Sequence, residues 1–582
     1  MSNPQARLPP ITILSSSLLV MASRLLTALA IIVLIGLLPW LSDADPALSL
    51  LRARSSEQEA TAEALEAIRQ HLGLSQGPWI FLKQWLRGLV LGDAGVSWVS
   101  GKPVLPGMLE AAGVSLTLML AALTVAAVLA LLLSWPTLKR GLAGDNRRSN
   151  GILATALTAM PEFLLSSFLL IIGAVWLQIL PPYGWQSWQH LVLPALALGI
   201  PAGGLLGKLF SDALAATFSE PWLLTWHMAG FSRRDCLSGV VRRALPAILP
   251  QVGLVLVGLT GGAVAVEKVF AIPGLGRATL GAAAAQDLPS LQCGVLILLV
   301  MAVITGSIIS LLRRVLLGQA LDNGSLSTPA STIAVINRHY RLPFMIMLLL
   351  AVIVLTGLLR DPFSSDFTRL QPPDWSLPFG ADATGRDMLA RVAHGALATL
   401  LTAAAVTGCC LLLGVFIGLF PRLLSGPAEA ANAMPPVIAG MVVAALYGPS
   451  TAGAAFAVAL VAWAPLAAHT AALVTEINAQ PYIRLTPLFG LNRFTCVIRY
   501  IIPALIGPVT RHAMLRLPGI ALALASLGFL GLGEQPPSPE WGRVLAEGMP
   551  YVERAVWTVL PPVFALILLS VLAVSLSQSS RR

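Results

Sequence analysis

The chain has 582 residues, of which 56% are hydrophobic and only 11% charged, against roughly 25% charged in soluble domains. That balance excludes a soluble enzyme with its own core and predicts an all-α polytopic membrane protein. The net charge of +10 does not indicate nucleic acid, because the arginines stand in short clusters beside apolar runs, as cytoplasmic loops do.

Taken in chain order, runs of about 20 apolar residues predict membrane spans. They fall near 24–41, 108–134, 151–175, 191–210, 247–266 and 292–312. A second set falls near 344–360, 395–420, 432–449, 451–474, 504–530 and 556–577, giving about 12 spans as six and six. The first run is too long, and lacks the small-residue cleavage pattern, to be a removed signal peptide. A polar segment, 42–107, follows it, with a short helical pattern of Glu57, Glu59, Glu63 and Glu66. Basic clusters (Lys139, Arg140, Arg147, Arg148; Arg233, Arg234, Arg242, Arg243; Arg313, Arg314) all become cytoplasmic if the N-terminus is cytoplasmic. Segment 42–107 is then periplasmic. Residues 315–342, with DNGS and TPAS strings, read as a cytoplasmic linker between a first half (1–314) and a second half (343–582). An even number of spans gives both halves one orientation, so the repeat is parallel and both termini are cytoplasmic. The five cysteines show no metal spacing and read as small packing residues, with no disulfide and no metal site.

The chain also repeats itself in detail. WLLTWHMAGFSRRDC (222–236) and YIRLTPLFGLNRFTC (482–496) each centre on a glycine, Gly230 and Gly490, followed six residues on by a cysteine. Met160-Pro161-Glu162-Phe163 has an echo in Met434-Pro435-Pro436-Val437. Gly274-Leu275-Gly276-Arg277 has a looser one in Gly531-Leu532-Gly533 with Gly542-Arg543. No phosphate-cradling GxxxxGK[ST], no HExxH and no GxSxG on a strand–turn–helix unit occurs, so no catalytic residue and no cofactor site is assigned to this chain. Any ATP-driven work then falls to another chain.

The glycine loops have the plan of a helical stretch, a glycine suited to positive φ, a second basic helix and a proline opening the next span. Pro503 follows Gly490 by thirteen residues, which is the spacing of the "EAA" loop of ABC-importer permeases. FGADATGRDMLAR (379–391) resembles the GTDxxGRDxxSR string of the dipeptide/oligopeptide/nickel permease family. GFLGLGEQPPSPEWG (528–542) resembles its SFLGLGxxPPxPEWG. The first half resembles the partner subunit through HLGLS (71–75), GDAGVS (92–97), HLVLPALALG (190–199) and EKVFAIPGLG (267–276). The chain therefore looks like both permease subunits of such an importer fused into one polypeptide, with the type I importer permease fold.

The resemblance implies two cytoplasmic ABC ATPase subunits that carry the ATP-Mg, a periplasmic substrate-binding protein, and the bacterial inner membrane as location. It implies ATPase coupling at Thr225, Ala229, Gly230, Arg233, Arg234, Tyr482, Gly490, Arg493 and Pro503. It places Glu267, Asp287, Asp382, Arg386, Asp387, Glu540 and Trp541 on the outer loops, where contact with the binding protein and a structural salt-bridge role both stay open. Pro161, Glu162 and Pro435 are candidates for the translocation path; an ionisable Glu162 inside a span is a functional signal, or else reaches headgroup water. His469 and His394 read as packing or interfacial residues, and Tyr183, Trp185 and Trp188 as interface anchors. Departures from the family pattern are Trp226 and Thr486 at the usual small position, Leu224 and Arg484 at the usual charged one, Pro246 sixteen residues after Gly230, and a missing GDxLRDxLDP tail. The two loops are thus expected to be unequal. Peptide, nickel and metal–metallophore substrates stay open, as do a secondary transporter and a membrane sensor as rival classes.

Overall fold

The apolar stretches named above are mostly helical over their described residues in the computed structural model, which describes residues 10–42, 47–48, 50–51, 61–72, 74–144, 152–158, 160–317, 341–419, 425–486 and 490–579. Most of the expected linker, the pair Arg147 and Arg148, and the side chains of Arg313, Arg314, Arg484 and Arg493 lie outside the described residues. The described residues form no strand beyond two isolated bridges, Val96 with Pro103 and Ala381 with Asp387.

The first half runs through α1 (Pro10–Gly36), α2 (Ala62–His71), α3 (Pro78–Val90) and α4 (Val104–Leu142). It continues with α5 (Ile152–Thr158), α6 (Glu162–Leu169), a π-helical turn (Leu170–Trp176), α7 (Gln189–Phe218), α8 (Pro221–Met228), α9 (Arg233–Val269), α10 (Leu275–Ala284) and α11 (Leu288–Leu317). The second half repeats that order as α12 (Arg341–Leu358), α13 (Met388–Gly418), α14 (Ser425–Ala433), α15 (Pro436–Tyr447), α16 (Thr451–Ala462) and α17 (Ala464–Ala479). It ends with α18 (Pro481–Leu485), α19 (Ile502–Leu530), α20 (Trp541–Gly548) and α21 (Leu560–Ser579). Among the described residues seven helices are long and apolar enough to cross a membrane, or eight if the bent pair of α14 and α15 is one span. Four shorter apolar helices, Met21–Gly36, Glu162–Trp176, Pro343–Leu358 and Leu560–Leu572, occupy the remaining predicted stretches.

Two predicted spans are broken rather than straight. Pro161 and Pro435 are the extended N-caps of α6 and α15, with ψ of 142° and 145°. The axis turns by 98° between Gly426–Asn432 and Pro436–Tyr447. A residue before proline is driven out of the helical region, as Pro435 is by Pro436, and a proline gives no N–H to the preceding turn.

Small residues set the helix packing. Gly199, Gly203 and Gly207 form a stripe along α7, and a Cβ on them would stand 2.6 Å from Val125 Cβ, 2.9 Å from Leu129 Cβ and 2.9 Å from Leu133 Cβ of α4. The partner numbers rise together, so α4 and α7 run parallel in close contact. Between helices in lipid the attraction is mainly dispersion, which such close approach maximises. In the second half the glycines sit on the other member of the pair: Gly414 and Gly418 of α13 meet Leu466 and Thr470 of α17, again in parallel. Helix α1 reaches across to the second half, where Arg24 Nη2 meets Glu429 Oε1 at 2.7 Å.

Candidate transport site: central breaks, glycine loops and outer caps

The two helix breaks meet on one helix. A Cβ on Gly261 of α9 would lie 2.6 Å from Pro435 Cβ of the second half. On the adjacent Gly262 it would lie 3.4 Å from the Glu162 carboxyl carbon of the first. Glycine at 261 lets α9 approach the Pro435 break, and Gly262 packs beside Glu162, so the candidate path residues Pro161, Glu162 and Pro435 gather at the contact between halves. Among the described residues no cation pairs with Glu162. At one end of this region the halves are latched: Lys268 Nζ donates to Leu530 O at 3.0 Å, and Phe163 and Phe529 pack with centroids 5.3 Å apart. Sequence reasoning passed over Arg511, His512 and Arg516, although three basic residues within a predicted span are a readable signal. His512 stacks on His469 of α17, ring centroids 4.4 Å apart, which gives His469 a ring partner. His394 Nε2 lies 3.1 Å from Arg360 O.

The glycine loops share one backbone device and differ in what supports it. Gly230 has φ 80° and Gly490 φ 71°, a region costly for residues with a Cβ. After Gly230, a reciprocal capping box between Ser232 and Asp235 starts α9. Helix α8 is held from below by aromatics: Trp222 meets Trp226 edge-on at 5.0 Å, and Trp226 stacks on Phe231 at 4.8 Å. The indole that replaces the usual small residue thus fills the space beneath Gly239. Arg243 and the Trp222 N–H both bind Glu220. Among its described residues the Gly490 loop has the short α18, Thr486 Oγ1 donating to Ile483 O and lying 3.6 Å from Cys496 Sγ, and Asn492 Oδ1 accepting from Thr495 N. Then comes a single helical turn (Arg493–Cys496) and a π-helical one (Val497–Ile501) before Pro503 in the first turn of α19. Thr225, Ala229, Arg233, Arg234, Tyr482 and Pro503 are exposed. Leu224, Met228 and Phe231 on one loop, and Tyr482, Leu485 and Phe494 on the other, present exposed apolar surface.

The outer-loop residues are buried, and the salt-bridge role that the sequence left open beside partner contact has its pairs here. Glu267, Asp287, Asp382, Arg386, Asp387, Glu540 and Trp541 are each less than 9% exposed. Asp287 accepts from Ser97 Oγ, Trp98 N and Ser290 Oγ, tying 92–103 to the start of α11. Asp387 caps α13 and pairs with Arg360. Asp382 binds Arg386 and the fully buried Arg391, both of which also reach Glu547. Burial alone would raise Asp382, but the Arg386 N–H, the two guanidiniums and the Thr384 hydroxyl outweigh it and hold the carboxyl below its usual range. Trp541 Nε1 donates to Val392 O at 2.8 Å. These strings are a folding clamp, and Arg391 and Glu547, which the sequence did not single out, are its centre.

Each half also buries a carboxylate at the N-terminus of its short outer helix. Glu267 accepts from Ser115 Oγ and Arg277 N, beside α10. Glu540 accepts from Gly542 N and Arg543 N of α20, with Thr399 Oγ1 at 3.5 Å. Ser115 and Thr399 are each the twelfth residue of their helices, α4 and α13. Burial pushes the Glu540 carboxyl up to about 7.

Two copies of one module are therefore present, and comparison with known families names it. The family model described as "Binding-protein-dependent transport system inner membrane component" matches residues 141–323 and again 410–580. The chain belongs to that family. It is a permease of the ABC-importer type carrying the family domain twice, with the loops around Gly230 and Gly490 each inside a matched range and residues 382–387 outside both. It is 35% identical over 222 residues to the di/tripeptide transport system permease protein DppC of Pseudomonas aeruginosa, covering 36% of this chain and 73% of that one. It is 29% identical over 249 residues to the glutathione transport system permease protein GsiC of Shigella flexneri, covering 41% and 78%. The dipeptide permease DppC of Alkalihalophilus pseudofirmus is 32% identical over 208 residues, covering 34% and 68%.

Proposed function

We propose that this permease passes short peptides inward across the bacterial inner membrane, driven by two separate ATPases that bind ATP-Mg. The observation that carries the reading is the pair of glycine loops: two left-handed glycines, each flanked by exposed apolar side chains on an otherwise membrane-buried protein. Exposed apolar patches of this kind mark protein partners. The first half, 1–314, and the second, 343–582, then offer one docking loop each, with 315–342 joining them and both termini on the ATPase side. The side opposite receives substrate from a periplasmic binding protein, on the surface that the buried outer clamp shapes. Motion of the loops moves α9 and α19 as levers, and the contact of Gly261, Gly262, Pro435 and Glu162 at the centre alternates between closed and open. The relatives are named for di/tripeptides and glutathione, which favours peptide over nickel or metal-chelate cargo.

Uptake of a labelled tripeptide into proteoliposomes holding the chain, its ATPases and its binding protein tests this. Uptake should require ATP and all three components. Uptake driven by an ion gradient without the ATPases would establish a secondary transporter instead.

A further inference from the structure

Arg516 sits where a cation has no structural reason to be. Along α19, Val509, Ala513 and Ile520 are buried, and Arg516 continues the same stripe at i, i+4, i+7 and i+11. Arg516 itself is exposed, at the edge of that stripe between buried Ala513 and Ile520 and exposed Leu515 and Gly519. A charged side chain in the middle of a span faces the bundle interior or a water-filled cavity, not lipid. Among the described residues no carboxylate pairs with it. One turn earlier His512 stacks on His469, so the two rings and the guanidinium line one stretch of the α17–α19 seam.

The axial position is informative. The bond from Lys268 Nζ to Leu530 O levels the ends of α9 and α19. Arg516 lies about 21 Å along α19 from Leu530, and Gly262, on which Glu162 rests, about 10 Å along α9 from Val269, at 1.5 Å per residue. The residues bearing the acidic and basic groups are offset by about 11 Å along the helix axes, comparable with the roughly 10 Å reach of an extended tripeptide. We propose that Arg516, backed by the His469–His512 stack, receives the carboxylate of a peptide in transit, while Glu162 faces its ammonium end. A guanidinium forks onto a carboxylate through two parallel N–H donors. This rests on the peptide-permease reading.

The test compares R516Q, R516K and the unmodified protein in proteoliposomes with the ATPases and binding protein, using radiolabelled tri-alanine. R516Q should lower uptake about tenfold, the loss of one charge-assisted contact, and R516K should retain a larger share. Equal tri-alanine uptake by R516Q and the unmodified protein would overturn the carboxylate site alone. No tri-alanine uptake by the unmodified protein would overturn the peptide reading beneath it. As a substrate-independent arm, R516C in a cysteine-free chain should react with a water-soluble anionic thiol reagent. Protection from the reagent would place the residue against lipid or packed protein and end the proposal.

Discussion

The two outer caps solve one problem with residues exchanged between positions. In the first half the carboxylate comes from Glu267, at the end of the spanning helix, and the N-cap of α10 is Gly274. In the second the N-cap itself, Glu540, supplies it, and Gly528 of α19 leaves it room. A Cβ on Gly274 would run into the Glu267 carboxylate, and one on Gly528 into that of Glu540. The charge, the hydroxyl donor and the backbone N–H donors are kept while the residue carrying the charge moves. What is preserved between the halves is therefore an electrostatic arrangement at a helix N-terminus, where a carboxylate is favoured, and not a sequence position.

Removing the carboxylate gives the largest expected effect. Glu267→Ala leaves Ser115 Oγ and Arg277 N without that partner and should cost about 2–4 kcal/mol, read as a lowered thermal midpoint and lower folded yield in detergent. A midpoint within experimental scatter of the unmodified protein would break the equivalence of the two caps.

The second cap should respond to pH. Glu540 is raised to about 7 in the folded chain, above the roughly 4.3 of an unfolded glutamate. A raised carboxyl contributes stability that is complete below the unfolded value and is lost as pH rises through the folded one. The thermal midpoint should therefore fall between about pH 5 and pH 8, and Glu540→Gln, neutral throughout, should flatten that slope. A slope unchanged in the variant would assign the pH response to another group.

The glycine loops give a smaller contrast. Alanine at Gly230 or Gly490 should cost about 1–2 kcal/mol locally, from the left-handed φ. The tryptophan-supported first loop should keep more transport than the second, because α8 is held by Trp222, Trp226 and Phe231 independently of the glycine. Equal losses in ATP-driven uptake would show that the aromatic support is immaterial to coupling. The exposed pair of Arg24 and Glu429 should contribute least, at most about 1 kcal/mol in a double-mutant cycle.

Hydropathy and repetition made the membrane class, the helical stretches and both loops readable in advance, since these depend on local composition. The bends at Pro161 and Pro435 escaped because an average over about 20 residues does not register one missing N–H. The outer strings were legible only as a choice between partner contact and salt bridge. Asp382, Arg386 and Glu540 are charged residues in loops, which normally face water, and only the tertiary fold brings Arg391, Glu547 and Thr399 around them. Arg516 was legible but hidden inside an otherwise convincing span.

The most direct measurement is binding-protein-stimulated ATP hydrolysis and tripeptide uptake, recorded together in proteoliposomes, for the unmodified chain and for variants with the exposed apolar loop residues replaced: Leu224 and Met228 by serine in one, Tyr482 and Phe494 by serine in the other. The account predicts that each pair alone lowers both activities, that all four replacements abolish them, and that the chain stays folded. Full uptake with all four replaced would contradict ATPase coupling through these loops.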